Sequence, residues 1–289
     1  MQHRIGLVAA LSKPEATELS HEIARWLTER GCVVVPEASL NASAATQVDA
    51  IVVLGGDGLM MRAGNAYPDT PLLGINFGKV GFLALVERRD WEMALTALLK
   101  GDYAVESSST LGASLVRDGV VHEQGRAIND VVIRAGTRMV EVEVYIDGQF
   151  VNTYPGDGMI VSTPRGSTAY CMAAGGPILT AGVKGVAIVP ISCHSPIRTP
   201  MVVAESALVE VVSVGRHEAS LILDGRPTGS LRYGDVVQVR QSKHSFRLIS
   251  VGSTDFYQAF RTKFNFQIRP DAVPTRSSGS TSESSNAQD

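Results

Sequence analysis

The stretch "LGGDGLMM", residues 54–61, sets one carboxylate among glycines directly after an apolar run. Asp57 is the candidate for chemistry. A carboxylate is ionised at neutral pH and can take the proton of an attacking hydroxyl. Gly55, Gly56 and Gly58 leave room for backbone N–H groups to approach a ligand closely. The next residues, "LMMRAGNA", lack strand alternation and end before Tyr67-Pro68, so they read as a short helix. A helix N-terminus with free N–H donors and a partial positive charge suits phosphate. The competing reading is that Asp57 merely caps that helix. The motif alone leaves both open. It is not a P-loop, because no Gly-Lys-Ser/Thr comes after it.

A second turn of the same kind lies in "GDGMIVSTPRGSTAYCMAAGGP", residues 156–177. "MIVST" reads as a strand stopped by Pro164. "TAYCMAA" reads as a short helix ended by Gly175-Gly176-Pro177, with Ser167 or Thr168 as its cap. Amides and hydroxyls at such a turn can hold a ligand, although for "GST" in isolation an ordinary capped helix is the simpler reading. "AIND" puts Asn129 and Asp130 into a β-rich run where both types are depleted, which calls for a bulge or a ligand contact. His194, just past "AIVPIS", is more simply structural than catalytic.

Five Asp-Gly pairs occur in the chain, at Asp57, Asp118, Asp147, Asp157 and Asp224. Those at 118 and 147 are flanked by strand-like sequence and read as tight hairpin turns. Asp157 comes after a Pro-Gly turn, and Asp224 stays undecided. Asp57 alone leads from a strand into a helix.

The elements that must position these residues change texture along the chain. In residues 1–101, "RIGLVAAL", "CVVV", "VDAIVVL" and "PLLGINF" read as buried strands. They alternate with helices at "PEATELSHEIARWLTERG" and "ERRDWEMALTALLKG". That pattern predicts an α/β, Rossmann-like N-terminal domain with a mainly parallel sheet. Residues 102–250 predict a β-rich, largely antiparallel C-terminal domain. Its strands are hairpins around Asp118 and Asp147, then "GVAIVPIS", "ALVEVVSV", "ASLILDG", "DVVQVRQ" and "SFRLISV". "STDFYQAFRTKF" reads as a closing helix, so residues 251–266 form a closing segment that could return to the N-terminal domain. The polar, low-complexity residues 267–289 read as a disordered tail.

Of 289 residues, 44% are hydrophobic and 19% charged, and the formal net charge is −3. This fits a soluble globular protein and argues against nucleic acid as a partner. Three widely spaced cysteines show neither zinc spacing nor a disulfide framework, which fits a reducing cytoplasm. "MQHRIGLVAALSKPE" is not a signal peptide. No apolar segment approaches the ~20 residues that cross a bilayer, so no membrane contact is expected.

Taken together, several stretches resemble the NAD kinase family. They are "GGDG" (55–58), Leu73-Gly74-Ile75-Asn76 with Gly78 and Gly81-Phe82-Leu83, "ND" (129–130), "DG" (157–158), "STP.GSTAY" (162–170), "AGGPIL" (174–179) and the His194 region. They stand in the family's order over about residues 50–200. "GGDG" alone is shared with diacylglycerol-type lipid kinases and phosphofructokinases; its combination with "GSTAY" is far more specific.

The resemblance implies transfer of the ATP γ-phosphoryl group to the adenosine 2′-hydroxyl of NAD, with Mg2+ or another divalent cation and no dedicated protein metal cage. It implies Asp57 as catalytic residue, with Gly55, Gly56 and Gly58 as the phosphate-facing turn. For NAD it implies Asp57, Gly58, Asn129, Asp130, Asp157, Thr168, Ala169 and Tyr170, with Cys171, Met172 and Ala173 just after. Arg138, Arg226 and His194 align more loosely. It also implies a homodimer or homotetramer. The other readings are a different GGDG-type kinase, acting on a lipid or sugar phosphate, and a non-catalytic dinucleotide-binding module. Two departures stand out. Arg165 occupies a position where many members carry a small or hydroxyl residue, and "CHSPIRTP" replaces the commoner Pro-His-Ser/Thr-Leu and Arg-Pro.

Overall fold

The computed structural model describes residues 2–41, 47–78, 81–180, 182–196 and 198–252. The closing helix and tail expected beyond residue 252 lie outside the described residues.

The N-terminal half runs β1 (Arg4–Ala9), α1 (Pro14–Glu29), β2 (Val33–Pro36), β3 (Ala50–Gly55), α2 (Asp57–Ala66), β4 (Pro71–Asn76), β5 (Val86–Glu87) and α3 (Trp91–Lys100). Its strands pair in parallel in the order β2-β1-β3-β4, with β5 on β4. β3 is buried at every residue, as a central parallel strand covered on both faces must be. α1 buries Ala16, Leu19, Ile23 and Leu27, three to four residues apart. Its first residue is Pro14, whose missing N–H costs nothing at that position. α3 starts at Trp91, after a single 3-10 turn at Arg88–Asp90, and stops at Gly101 in the left-handed conformation.

The rest of the chain is built from strands. They are β6 (Ala104–Arg117), β7 (Val120–Ala127), β8 (Asp130–Ala135), β9 (Val140–Ile146), β10 (Gln149–Gly156), β11 (Gly158–Ser162), β12 (Gly185–Ile191), β13 (Met201–Ala204), β14 (Val209–Ser213), β15 (Ala219–Leu223), β16 (Arg226–Leu231) and β17 (Val236–Ser250). A 3-10 turn (Gly166–Thr168) and the single-turn α4 (Tyr170–Ala173) come after β11. Six strands form an antiparallel sheet in the order β13-β12-β11-β8-β15-β16. It packs over the antiparallel part of the other sheet through Val142, Val144, Ile133, Val161, Leu221 and Val237.

One strand joins the two halves. The start of β17 pairs antiparallel with β14, and its end pairs parallel with β4 at Arg247 and Leu248. β6 runs antiparallel along nearly the whole of β17. The parallel sheet therefore continues into the antiparallel one. "DVVQVRQ" and "SFRLISV", expected as two strands, are one. The register slips between Gln241 and Ser245, which absorbs the polar interruption without ending the pairing.

One further expectation is corrected, and one open question is resolved. Neither Ser167 nor Thr168 caps α4, whose N-cap is Ala169 with no side-chain cap. Asp224 does form a hairpin turn between β15 and β16. Asp118, Asp147 and Asp224 all have φ near +50°, each with a glycine near +75° after it.

Candidate functional site

Asp57 opens α2, but its carboxylate does not cap the helix. The N-cap is Gly56, extended and without a side-chain cap. The carboxylate instead accepts the backbone N–H groups of Phe82 at 2.9 Å, Leu83 at 3.0 Å and Ala84 at 3.2 Å. The segment after β4 is thereby laid against the Gly55–Gly58 turn. Gly81 makes this possible, because a Cβ there would overlap Asp57 Oδ1. At Gly56 and Gly58 a Cβ would meet nothing within 4 Å. The protein's own packing does not demand glycine at those two positions, so the open space beside them is available to a ligand. Lys13, the residue before α1, donates to the carbonyl of Phe77, the residue after β4. It adds a cation where β1, β3 and β4 end, the usual place for ligands on an open parallel sheet.

Asn129 and Asp130 are held by a residue whose role sequence left undecided. The Asp224 carboxylate accepts the N–H groups of Ile128 at 2.8 Å, Asn129 at 2.7 Å and Asp130 at 3.3 Å. It also accepts Asn65 Nδ2, from the last turn of α2, at 2.8 Å. Asn129 precedes β8 and Asp130 is its first residue, paired with Ser162, so "ND" stands at the strand's start rather than at a bulge. Asp130 is 5% exposed. Burial, and then the Asp224 charge, push its carboxyl up to about 7.

The turn after β11 is fastened to the same segment. Thr163 donates its hydroxyl to the Ile128 carbonyl at 2.7 Å and its N–H to that of Asn129 at 2.9 Å. Gly166 touches the Asn129 backbone so closely that a Cβ would overlap its carbonyl oxygen. Ser167 ties the turn to Leu179, accepting its N–H at 2.9 Å. Thr168, Ala169, Tyr170 and Met172 are part-exposed, and Ala173 is exposed. Cys171 differs from expectation. It is wholly buried among Val132, Ile160 and Val189, where burial raises its thiol to about 11, so the thiol does not present itself to a ligand. Arg134 of β8 lies over the Tyr170 ring, 5.8 Å from its centroid.

Asp157 is exposed, and its N–H donates to the Ile191 carbonyl at 2.9 Å. The His194 N–H donates to the Pro155 carbonyl at 2.9 Å, so Asp157 and His194 share one end of the antiparallel sheet. His194, Cys193 and Arg198 line a cleft of 520 Å³ there. Arg138 is exposed between β8 and β9, and among the described residues no hydrogen bond or ion pair joins it to the other site residues. Arg226 is exposed directly after the Asp224-Gly225 turn.

A pocket of 330 Å³ opens beside the second strand-to-helix turn and reaches the segment that Asp57 holds. Phe82, whose amide is bound by Asp57, lines one part of it; Arg165 and Thr168 line another. Sequence reasoning missed Asn65, Lys13 and Arg134, and gave Asp224 no role. Only Asp224 carried a signal, as one Asp-Gly pair among several.

The comparisons with known proteins agree over nearly the whole chain. The family model of the ATP-NAD kinase N-terminal domain matches residues 5–103, and that of the ATP-NAD kinase C-terminal domain matches residues 128–251. An NAD kinase of Thermomicrobium roseum is 57% identical over 276 residues, covering 96% of each chain. One of Heliobacterium modesticaldum is 36% identical over 275 residues, covering 90% of this chain and 97% of its own. Among solved structures, yeast NADH kinase complexed with NADH superposes with a TM-score of 0.83 at 18% identity, covering 96% of this chain and 90% of that one. An NAD kinase from Archaeoglobus fulgidus in complex with ATP superposes with a TM-score of 0.70 at 24% identity, covering 92% and 98%. At those identities the two structures speak for the fold alone.

Proposed function

Because the chain belongs to the NAD kinase family, we propose that it transfers the γ-phosphoryl group of ATP to the adenosine 2′-hydroxyl of NAD, giving NADP and ADP. The observation that carries this is the shared pocket. Its lining includes Phe82, whose N–H the Asp57 carboxylate accepts, together with Thr168 of the turn suited to a nucleoside. Nothing favours the lipid-kinase, sugar-phosphate-kinase or non-catalytic alternatives.

In this reading Asp57 orients the 2′-hydroxyl and accepts its proton. The ribose oxygen forms a bond to the γ-phosphorus, and the bond from that phosphorus to the β,γ-bridging oxygen breaks, releasing ADP. General-base assistance of this kind contributes about 10²–10⁴ in rate. Positioning and charge neutralisation supply the remainder. The amides at Gly56 and Gly58, with Lys13, face the donor's phosphates. Asn129, Asp130 and Asp157 hold the ribose side of NAD, and Thr168, Ala169, Tyr170 and Met172 line the nucleoside.

ATP-dependent transfer uses a divalent cation, Mg2+ in our reading. Among the described residues no cluster of three or more acidic, His or Cys side chains gathers. The donor set at the turn is the single Asp57 carboxylate, which fits a cation that arrives on the phosphates rather than in a protein cage. When bound, such a cation would supply charge neutralisation for the transferred group. We take residues 1–101 and 102–250 as the donor-side and acceptor-side halves. We also read the protein as a cytoplasmic homodimer or homotetramer. The buried free thiols of Cys32, Cys171 and Cys193 fit a reducing compartment.

The test is a coupled assay with ATP, Mg2+ and NAD, in which an NADP-specific dehydrogenase detects product. NADP formation is expected. Turnover only with diacylglycerol or fructose 6-phosphate, or NAD binding without ATP consumption, would overturn the reading.

A further inference from the structure

Arg165 stands in the middle of the acceptor-side turn, between Pro164 and Gly166, yet its side chain points out of that turn, which comes after a strand of the six-stranded sheet, to the other sheet. Nη2 donates to Glu106 Oε1 at 2.6 Å and to Ser108 Oγ at 2.9 Å, and Nε donates to Ser108 Oγ at 3.2 Å. Both partners lie on β6. The guanidinium also lies 5.2 Å from the centroid of the Phe246 ring on β17. The side chain is only 11% exposed, against 47% for Glu106. Burial works against the charged guanidinium, and Glu106, then Asp57, favour it.

The contacts continue on both sides. The Phe246 ring is 1% exposed and packs on Gly64 of α2, where a Cβ would stand 2.5 Å from a ring carbon. α2 is the helix that Asp57 opens. On the other side, the residues flanking Arg165 grip Ile128 and Asn129 through Thr163 and Gly166. A continuous run of contacts thus leads from Asp57 along α2 to Phe246, across Arg165 into the 163–168 turn, and on to the Asn129 segment. Arg165 is where this run crosses between the two sheets. A small side chain there could not reach β6 at all. Lysine could meet Glu106, but it lacks the planar fork that also engages Ser108 and stacks on the ring.

We propose that Arg165 is a positioning residue for the acceptor: it clamps the 163–168 turn to β6 and β17, and so sets where NAD lies relative to Asp57. This rests on the NAD kinase reading above. The clamp acts through the turn, so Glu106 and Arg165 function as one unit.

The test is steady-state kinetics of NADP formation by the full chain for wild type, Arg165→Ala, Glu106→Ala, the double variant and Arg165→Lys, with thermal unfolding of each. We expect kcat/KM for NAD to fall about tenfold in either alanine variant and no further in the double, as coupled partners behave. KM for ATP should stay unchanged, and Arg165→Lys should recover part of the loss. Three outcomes would overturn the proposal. One is lower thermal stability with kinetics for NAD unchanged. Another is additive losses of about a hundredfold in the double. The third is an effect of Arg165→Ala that Glu106→Ala does not share, which would mean direct contact with substrate. Should Arg165→Ala fail to fold, Glu106→Ala and Arg165→Lys decide by the same criteria. A wild-type enzyme that makes no NADP would refute the function itself, and is distinguishable from any of these.

Discussion

Asp224 and Asn65, 159 residues apart in sequence, share a hydrogen bond of 2.8 Å that ties the helix opened by Asp57 to the segment carrying Asn129 and Asp130. The same carboxylate accepts three backbone N–H groups. Replacing it strands four donors at once, and each donor left unpaired away from water costs on the order of 1–3 kcal/mol. At the lower end of that range the four together cost about 4 kcal/mol, so Asp224→Ala should lower the Tm by about 8–16 °C and raise KM for NAD more than KM for ATP. Thermal unfolding with kinetics checks this. An unchanged Tm would mean that solvent replaces the carboxylate and that the segment orders itself.

The glycines around Asp57 should separate by function. A Cβ at Gly81 would overlap the Asp57 carboxylate, whereas one at Gly58 meets nothing within 4 Å. Gly81→Ala should displace the carboxylate or the Phe82–Ala84 amides, and displacements near 1 Å cost about 10² in rate. Gly58→Ala should fold with an unaltered Tm and instead raise KM for ATP, because the new methyl group enters the open space we propose for the donor's phosphates. Equal kinetics for both variants would contradict this assignment.

Asp130 should give the enzyme a pH dependence near neutrality. Burial and the Asp224 charge raise its carboxyl from the ordinary 3.8 to about 7 in the folded protein. A carboxyl with a raised folded pKa contributes stability that is full below about pH 4. That stability is lost as pH rises through about 7. The difference in Tm between wild type and Asp130→Asn should track that course. Binding runs the other way, because a ribose hydroxyl donates best to the ionised carboxylate. KM for NAD should fall as pH rises through about 7 in wild type and stay flat in Asp130→Asn. A flat wild-type profile would remove Asp130 from the ribose contact.

Much of the frame was legible because burial leaves a local trace. β3 is covered on both faces and therefore reads as an unbroken apolar run. The buried stripe of α1 repeats every three or four residues. The hairpins at Asp118 and Asp147 announce themselves by turn residues with positive φ. Contacts between distant positions could not be read. Asp224 looked like another hairpin aspartate, and it is one, but its side chain serves Ile128 and Asn129 about a hundred residues upstream. Asp57 was legible as a residue and illegible as a geometry. Both of its candidate roles were tied to the helix it opens, and neither foresaw that it binds the amides of Phe82 to Ala84. Cys171 was assigned to the nucleoside by neighbourhood alone. A single-turn helix alternates sides within two residues, and that put its thiol in the core.

In our reading Asp57 takes the proton from the acceptor hydroxyl. The direct measurement is kcat of Asp57→Asn in the coupled NADP assay, with its Tm and NAD affinity determined on the same preparation. Asparagine keeps the shape and an acceptor oxygen for Leu83 and Ala84, but it sets an NH2 group against the Phe82 N–H, so a modest loss of Tm is expected. If the account is right, kcat falls by about 10²–10⁴ while NAD is still bound. Near wild-type turnover in a folded Asp57→Asn protein would contradict it.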